Sequence, residues 1–189
     1  MKKAIINIRQ AQKTDALLIA KAVAMGIGDE DALRRYCGED YISLLTEIAQ
    51  HEESQYSYNN ALIAVIDGTP VGAVIGYDGA KLHHLRDNTY NIIYSSLERT
   101  PSIPDETEAG EFYLDTVAVM PEYSSMGIGR SMITAICNKA FADGHKNVGL
   151  IVDHDNSRAE ALYTSIGFTR VGEKEFFGHR MWHMQKKNA

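Results

Sequence analysis

Val117-Ala118-Val119-Met120-Pro121-Glu122-Tyr123-Ser124-Ser125-Met126-Gly127-Ile128-Gly129-Arg130 reads as the end of a strand, a turn and the start of a helix. Two glycines at a helix start let the backbone approach a ligand with no side chain in the way. The unpaired N–H groups of the first helical turn then point outward, and the helix dipole favours an anion there. A pyrophosphate suits that arrangement, although a tight turn needing glycine for its backbone angles alone would carry the same letters. Two other phosphate motifs fail here. A P-loop needs Lys followed by Ser or Thr after its second glycine, but Arg130 and Ser131 follow Gly129 and the earlier glycine is missing. The dinucleotide fingerprint needs a third glycine or alanine where Met132 stands.

Just upstream, Glu111 to Met120 predicts a central strand, apolar on both faces. Phe112 and Leu114 share one parity while Val117 and Val119 share the other, which points to a bulge near Asp115 and Thr116. Downstream, Ile128 to Ala142 is a helix with Ile128, Met132, Ile133, Ile136 and Ala140 on one stripe, closed by Asp143-Gly144-His145. Val148 to Val152 reads as a short buried strand and Ser157 to Ile166 as a helix ended by Gly167. Phe168 to Glu173 and Phe176 to Met184 are closing strands.

Towards the N-terminus, Ala4 to Ile8 predicts a strand. Thr14 or Asp15 caps a helix through Leu17, Leu18, Ala20 and Val23 that stops around Gly26 and Gly28. A second helix covers Tyr41 to His51, with Ile42, Leu45 and Ile48 on one stripe. Ala61 to Ile66 and Val71 to Tyr77 form a hairpin through Asp67-Gly68-Thr69-Pro70. Asp78 to Gly110 is the least regular region, with only Asn91 to Leu97 reading as helical. Such an insert can be a binding loop or lid as readily as a plain surface insertion.

The second informative segment runs from Asp155 to Phe168. Ser157 and Glu160 have capping-box spacing. Asn156 follows a strand end, where its amide can meet a ligand crossing the sheet. Tyr163 carries a phenol able to protonate a departing thiolate, since its pKa lies slightly above that of a thiol. A tyrosine packed on the inner stripe with its hydroxyl at the rim is the plainer alternative.

With 189 residues, 44% hydrophobic and 23% charged, the chain fits a single domain over 1–189. A formal charge of -6 argues against a nucleic-acid partner. It suits a cationic substrate, but acidic surfaces also serve solubility alone. The two cysteines, Cys37 and Cys137, have no close spacing and make neither a zinc site nor a disulfide framework. No apolar run approaches a membrane span, and Met1 to Ile8 is too short for a signal peptide. The expectation is a cytoplasmic setting with no membrane partner. His83 and His84 would point apart on a strand. His179 and His183 have the spacing of two helical zinc ligands but lie in a stretch that reads as strand and itself supplies no obvious carboxylate. His154 between Asp153 and Asp155 stands near the site as a polar contact rather than a metal ligand.

Together the two segments resemble the GNAT N-acetyltransferase superfamily. That family's phosphate loop reads Arg or Gln, two residues, Gly, one residue, then Gly or Ala. Gly127 and Gly129 match, with Ser124 in the first place. Its later pattern is met in full by Asn156, Ala159, Leu162, Tyr163, Gly167 and Phe168. The opening, Ile8-Arg9 with Asp15 before a helix, is similar more loosely.

The resemblance implies an α/β (α+β) fold. Its mixed, mostly antiparallel central sheet has helices on both faces and splays beside the bulged strand to admit a pantetheine arm. Backbone groups of Val117 and Val119 would pair with that arm. The N–H groups of Met126, Gly127, Ile128, Gly129 and Arg130 would hold the pyrophosphate. Asn156 would contact the arm, and Tyr163 would protonate the leaving thiolate. The implied activity is that of an acyltransferase moving an acetyl group from acetyl-CoA, its cosubstrate, to a primary amine by direct attack in a ternary complex, with no metal and no cysteine nucleophile.

Direct attack needs a base, for which Glu111 and Asp115 are the candidates. Four residues apart, they share one face of a regular strand, a relation a bulge would disturb. Polyamine, amino-sugar, amino-acid and peptide acceptors all stay open, so the partner is a small-molecule or peptide amine. A homodimer is compatible with the family, although the sequence marks no interface. The alternative is a sensor or assembly module of the same fold that binds acyl-CoA without catalysis.

Overall fold

A computed structural model describes residues 5–176 and 178–188. Its seven strands are β1 (Ile6–Gln10), β2 (Ala61–Ile66), β3 (Thr69–Asp78), β4 (Phe112–Val119), β5 (Asn147–Asp153), β6 (Thr169–Phe176) and β7 (His179–Lys187). They form one sheet in the order β1-β2-β3-β4-β5-β7-β6. Only the β4–β5 pair is parallel. The helices are α1 (Ala16–Ile27), α2 (Glu30–Cys37), α3 (Tyr41–Gln50), α4 (Leu82–Leu97), α5 (Ile128–Ala142) and α6 (Ser157–Ile166). This is the mixed, mostly antiparallel sheet with flanking helices that the resemblance implies. The start expected for the first strand, Ala4, lies outside the described residues, as does Phe177 between the closing strands.

The core divides between the two faces of the sheet. On one, Ile19 and Val23 of α1, Leu45 and Ile48 of α3 and Ile93 of α4 pack on Ile63, Ala73, Ile75 and Ala118. On the other, Met132, Ile133 and Ile136 of α5 pack on Val74, Leu114, Leu150 and Val152. The hairpin forms because Asp67 and Gly68 take positive φ of 48° and 81°, as a tight turn between twisted strands requires. Among the described residues no helix is long and apolar enough to cross a membrane.

Five expectations need correction. His83 and His84 lie in helix α4 and not on a strand. Helix α2 was not foreseen; it starts where Asp29 accepts from the amides of Asp31 and Ala32, and eight residues are too few to display a period. Helix α4 starts at Leu82, nine residues before Asn91, so the irregular stretch begins only after Leu97. Its inner stripe carries Arg86 and Thr89 among Leu82, Leu85, Ile92 and Ile93, and those buried polar residues hide the apolar period. Asp15 does not cap α1 with its side chain; it turns back to accept from Arg9 and from the Gln12 amide. The cap of α6 is Asn156, one residue earlier than the Ser157–Glu160 box, and Glu160 pairs with Arg170 instead.

The bulge expected near Asp115 is present. Ile75 pairs with Thr116 and Gly76 with Leu114, leaving Asp115 without a partner on β3. The extra residue brings Phe112, Leu114, Val117 and Val119 to the α5 side despite their opposite parities. Strands β4 and β5 pair only at Phe112–Val148 and Tyr113–Gly149, so the sheet opens beyond Tyr113.

Candidate active site

The opening leaves one edge of β4 without a strand partner from Leu114 onward. The Met120 amide donates to Val71 O at 2.8 Å, towards β3. Backbone groups alternate sides along a strand, so those of Val119 and Val117 face the open edge. Such an edge can pair with an extended ligand that carries amide groups.

At the end of that edge the chain turns through Ser125, at φ 64°, and Gly127, at φ 79°, into α5. The Ser124 amide closes the preceding turn on Pro121 O, and the Ser131 amide bonds Gly127 O at 3.1 Å. The first-turn amides ahead of Ser131 have no intrahelical acceptor, which leaves Ile128, Gly129 and Arg130 as donors. A Cβ on Gly127 would meet nothing within 4 Å, and one on Gly129 only Val119 Cγ2 at 4.0 Å. Packing therefore does not demand glycine at 129; the space above it is open, as an anion cradle requires. The Arg130 side chain turns away to hold α6, with Nη2 2.6 Å from Ser165 Oγ.

Asn156 Oδ1 accepts from the Ala159 amide at 3.1 Å, which fixes the start of α6 and leaves the side-chain NH2 to donate elsewhere. Seven residues on, Tyr163 stands edge-on to Phe168, with ring centroids 5.9 Å apart. Its hydroxyl has no hydrogen-bond partner among the described residues, and burial pushes its pKa up to about 12. It remains a donor throughout the physiological range.

The two carboxylates proposed from sequence occupy different environments. Glu111 is 2% exposed. It accepts from Thr107 Oγ1 at 2.7 Å and from Gln185 Nε2 at 2.7 Å, and His183 Nε2 lies 2.9 Å away. Burial alone would raise its pKa, but the bonds to His183, Gln185 and Thr107 outweigh burial and hold it below the ordinary value. Glu111 thus clamps β4 to β7 across Gly149, where an added Cβ would overlap the carboxylate. Gly149→Ala is expected to lower stability by about 1–3 kcal/mol in denaturant unfolding.

Asp115 sits at the bulge, partly buried. Burial, reinforced by the nearby Glu106, pushes its pKa from 3.8 up to about 7, against hydrogen bonds from Thr116 and Tyr77. Tyr77 Oη donates to Asp115 Oδ2 at 2.9 Å and Thr116 Oγ1 lies 2.9 Å from Oδ1. Tyr36, Tyr56 and Tyr113 are buried within electrostatic reach of the same carboxylate, and burial pushes their pKa values up and keeps them neutral. Tyr113, the last β4 residue paired to β5, is within electrostatic reach of both Asp115 and Tyr163.

Sequence reasoning missed Tyr77, Gln55, Arg86, Glu106 and His183. The one hint was Asp78 to Gly110, read as a binding loop or lid as readily as a surface insertion, and it holds Arg86 and Glu106 but not the other three. Elsewhere, His179 pairs with Asp153, and His154 stacks on Trp182 with centroids 3.9 Å apart, so both have structural work. Both cysteine thiols are buried, which pushes their pKa up to about 12 and about 11 and leaves neither as a ready nucleophile.

Comparison with known proteins agrees with this geometry. The chain is 33% identical over 118 residues to a mycothiol acetyltransferase of Kocuria rhizophila, covering 62% of this chain and 32% of that protein. It is 36% identical over 101 residues to the N-alpha-acetyltransferase RimI of Mycobacterium tuberculosis, covering 53% of this chain and 49% of that one. The match thus spans about a third to a half of these relatives. A crystal structure of an acetyltransferase superposes with a TM-score of 0.83 at 31% identity, covering 96% of this chain and 98% of that one. An N-acetyltransferase from Staphylococcus aureus Mu50 shares the fold with a TM-score of 0.83 at 23% identity, covering 95% and 99%. The model of the acetyltransferase (GNAT) family matches residues 30–168, and the chain belongs to that family.

Proposed function

We propose that this protein moves an acetyl group from acetyl-CoA to a primary amine by direct attack in a ternary complex. The observation that carries the reading is the opening of the sheet beyond Tyr113, which leaves the β4 edge and the first-turn amides of α5 free for a ligand, with two chemically useful groups within electrostatic reach of Tyr113. One is the unbonded Tyr163 phenol; the other is the Asp115 carboxylate, with a pKa of about 7. Val117 and Val119 hold the pantetheine arm along the open edge, Asn156 meets it from α6, and the amides of Met126 to Arg130 hold the pyrophosphate. Asp115 takes a proton from the acceptor ammonium, which frees the nitrogen lone pair to attack the thioester carbonyl. Tyr163 donates a hydrogen bond to the departing sulfur as the C–S bond breaks, and the second proton, shed by the acylated nitrogen, passes to the thiolate to give the CoA thiol. Glu111, saturated with hydrogen bonds, keeps the paired end of the strands closed and leaves the base role to Asp115.

A base with a pKa near 7 is better matched to an α-amine, at about 7.7–8.0, than to an alkylamine near 10.4. The named relatives include a mycothiol acetyltransferase and, from Haemophilus ducreyi, a ribosomal protein bS18-alanine N-acetyltransferase. The acceptor class is accordingly a small-molecule or peptide amine of low basicity.

Release of CoA thiol across a panel of peptide α-amines, amino sugars, polyamines and lysine derivatives tests this. Turnover is expected with one class, the α-amines ahead of the alkylamines. Binding of acetyl-CoA without turnover on any amine would instead favour a sensor or assembly module. Gly129→Val should weaken acetyl-CoA binding by about tenfold or more in calorimetry while leaving the melting temperature unchanged, because its side chain fills the anion cradle and not the core.

A further inference from the structure

Residues 98–111 form a strap that leaves α4 and returns to β4 over the side of the sheet bearing α1 to α4. Arg99 ties its start to α2, bonding Arg34 O at 3.2 Å and also Arg35 O. Arg86 holds its middle, with Nη1 on Ile103 O at 3.2 Å and Asp105 Oδ1 at 2.6 Å, and Nη2 on Pro104 O at 3.2 Å and on Glu106 Oε2. Arg86 and Glu106 are only 6% and 5% exposed. A buried ion pair has a large desolvation penalty, and apolar residues of similar volume would serve stability as well or better. Such a pair beside the open part of the sheet therefore calls for a role beyond holding the strap.

The strap delivers Glu106 to Tyr77. Tyr77 Oη is 3.2 Å from Glu106 Oε1 and 2.9 Å from Asp115 Oδ2, and it has one proton to give. Gln55 Nε2 donates to both Tyr77 Oη and Glu106 Oε1, each at 3.2 Å. Glu106 is thus supplied by Gln55 and Arg86, which leaves the phenol proton to Asp115. The charged and titratable groups facing Asp115 are Tyr36 of α2, Tyr56 after α3, Tyr77 of β3, Arg86 of α4, Glu106 of the strap and Tyr113 of β4. Among these described residues, Glu106 supplies the negative charge and Arg86 the positive one.

We propose that Glu106 is a positioning residue for acetyl transfer: held by Arg86, it acts through the Tyr77 hydroxyl to orient the Asp115 carboxylate and keep it ready to take up a proton. This rests on the reading of Asp115 as the proton acceptor. The charge of Glu106 opposes ionisation of Asp115, while the Tyr77 hydrogen bond favours it. The two contacts predict opposite changes.

The test is the titration of Asp115, followed by carboxyl-carbon NMR in the acceptor-free protein, alongside the pH profile of kcat/KM. Glu106→Gln keeps the shape, removes the charge and leaves Arg86 less neutralised. Both midpoints should fall by about one pH unit. Tyr77→Phe should move both midpoints upward. A merely structural role would lower the rate at every pH and leave the midpoints in place. Transfer intact in the unmodified protein with unmoved midpoints, or with both variants shifting the same way, would overturn the role of Glu106 alone. No transfer in the unmodified protein would overturn the acetyltransferase reading and this role with it, whatever the titration shows. Should Glu106→Gln fail to fold, Gln55→Leu decides: it leaves Glu106 in place but frees Oε1 to draw the Tyr77 proton away from Asp115, so both midpoints should rise, and unmoved midpoints would overturn the role of Glu106.

Discussion

Asp115→Asn is expected to lower kcat by about 10²- to 10³-fold and to abolish the acid limb of the pH profile near 7. The amide keeps the shape at the bulge and can still accept from Tyr77 or Thr116, but it cannot take a proton. The same substitution should stabilise the fold. In the folded protein this carboxyl binds its proton more tightly than in the unfolded chain, with a pKa of about 7 against 3.8. Its contribution to stability is therefore complete below pH 3.8 and is lost as the pH rises through about 7. At pH 8 the variant should be more stable than the unmodified protein by about 1–3 kcal/mol, an advantage that fades towards pH 4. Urea unfolding at the two pH values measures it. Lower activity with higher stability would set Asp115 apart from a residue that merely supports the fold, whose loss would reduce both.

Tyr163→Phe is expected to lower kcat by about 10²-fold, with little change in acetyl-CoA affinity. Burial, which pushes the phenol up to about 12, refines the sequence expectation. A thiol is far more acidic than that, so complete proton transfer to the thiolate is uphill. The hydroxyl contributes instead as a hydrogen-bond donor aimed where negative charge develops, in a site with little water to compete. The loss should accordingly be the same from pH 6 to pH 9, because the phenol does not titrate there. A loss confined to one end of the profile would mean that Tyr163 acts through another titrating group.

What could be read from sequence was what depends on short segments. The glycines at 127 and 129 and the Asn156 to Phe168 pattern lie within single strand–turn–helix units, where local backbone geometry fixes which groups face a ligand. The bulge at Asp115 was legible because an extra residue must shift the apolar parity of the strand, and Phe112, Leu114, Val117 and Val119 record the shift. Helix α4 was partly hidden because Arg86 and Thr89 take buried positions where apolar residues would have announced it. The surroundings of the carboxylates were not legible at all. Tyr77 reaches Asp115 across 38 positions of sequence and Glu106 across 29, and Glu111 meets His183 across 72. No local pattern carries such pairings; the sheet order and the strap create them. That is why Glu111 and Asp115, equivalent as letters, differ in three dimensions, one ionised and saturated, the other poised near neutrality.

Intact-mass spectrometry of both the protein and its acceptor, after incubation with acetyl-CoA labelled in the acetyl group, tests the central claim most directly. A peptide bearing a free α-amine serves as the first acceptor. The account predicts that the label appears on the acceptor nitrogen, that CoA is released in equal amount, and that the protein itself stays unlabelled. Label resting on the protein would contradict direct attack in a ternary complex. Acetyl-CoA that binds but never gives up its label, to this or any other amine, would contradict the enzyme itself.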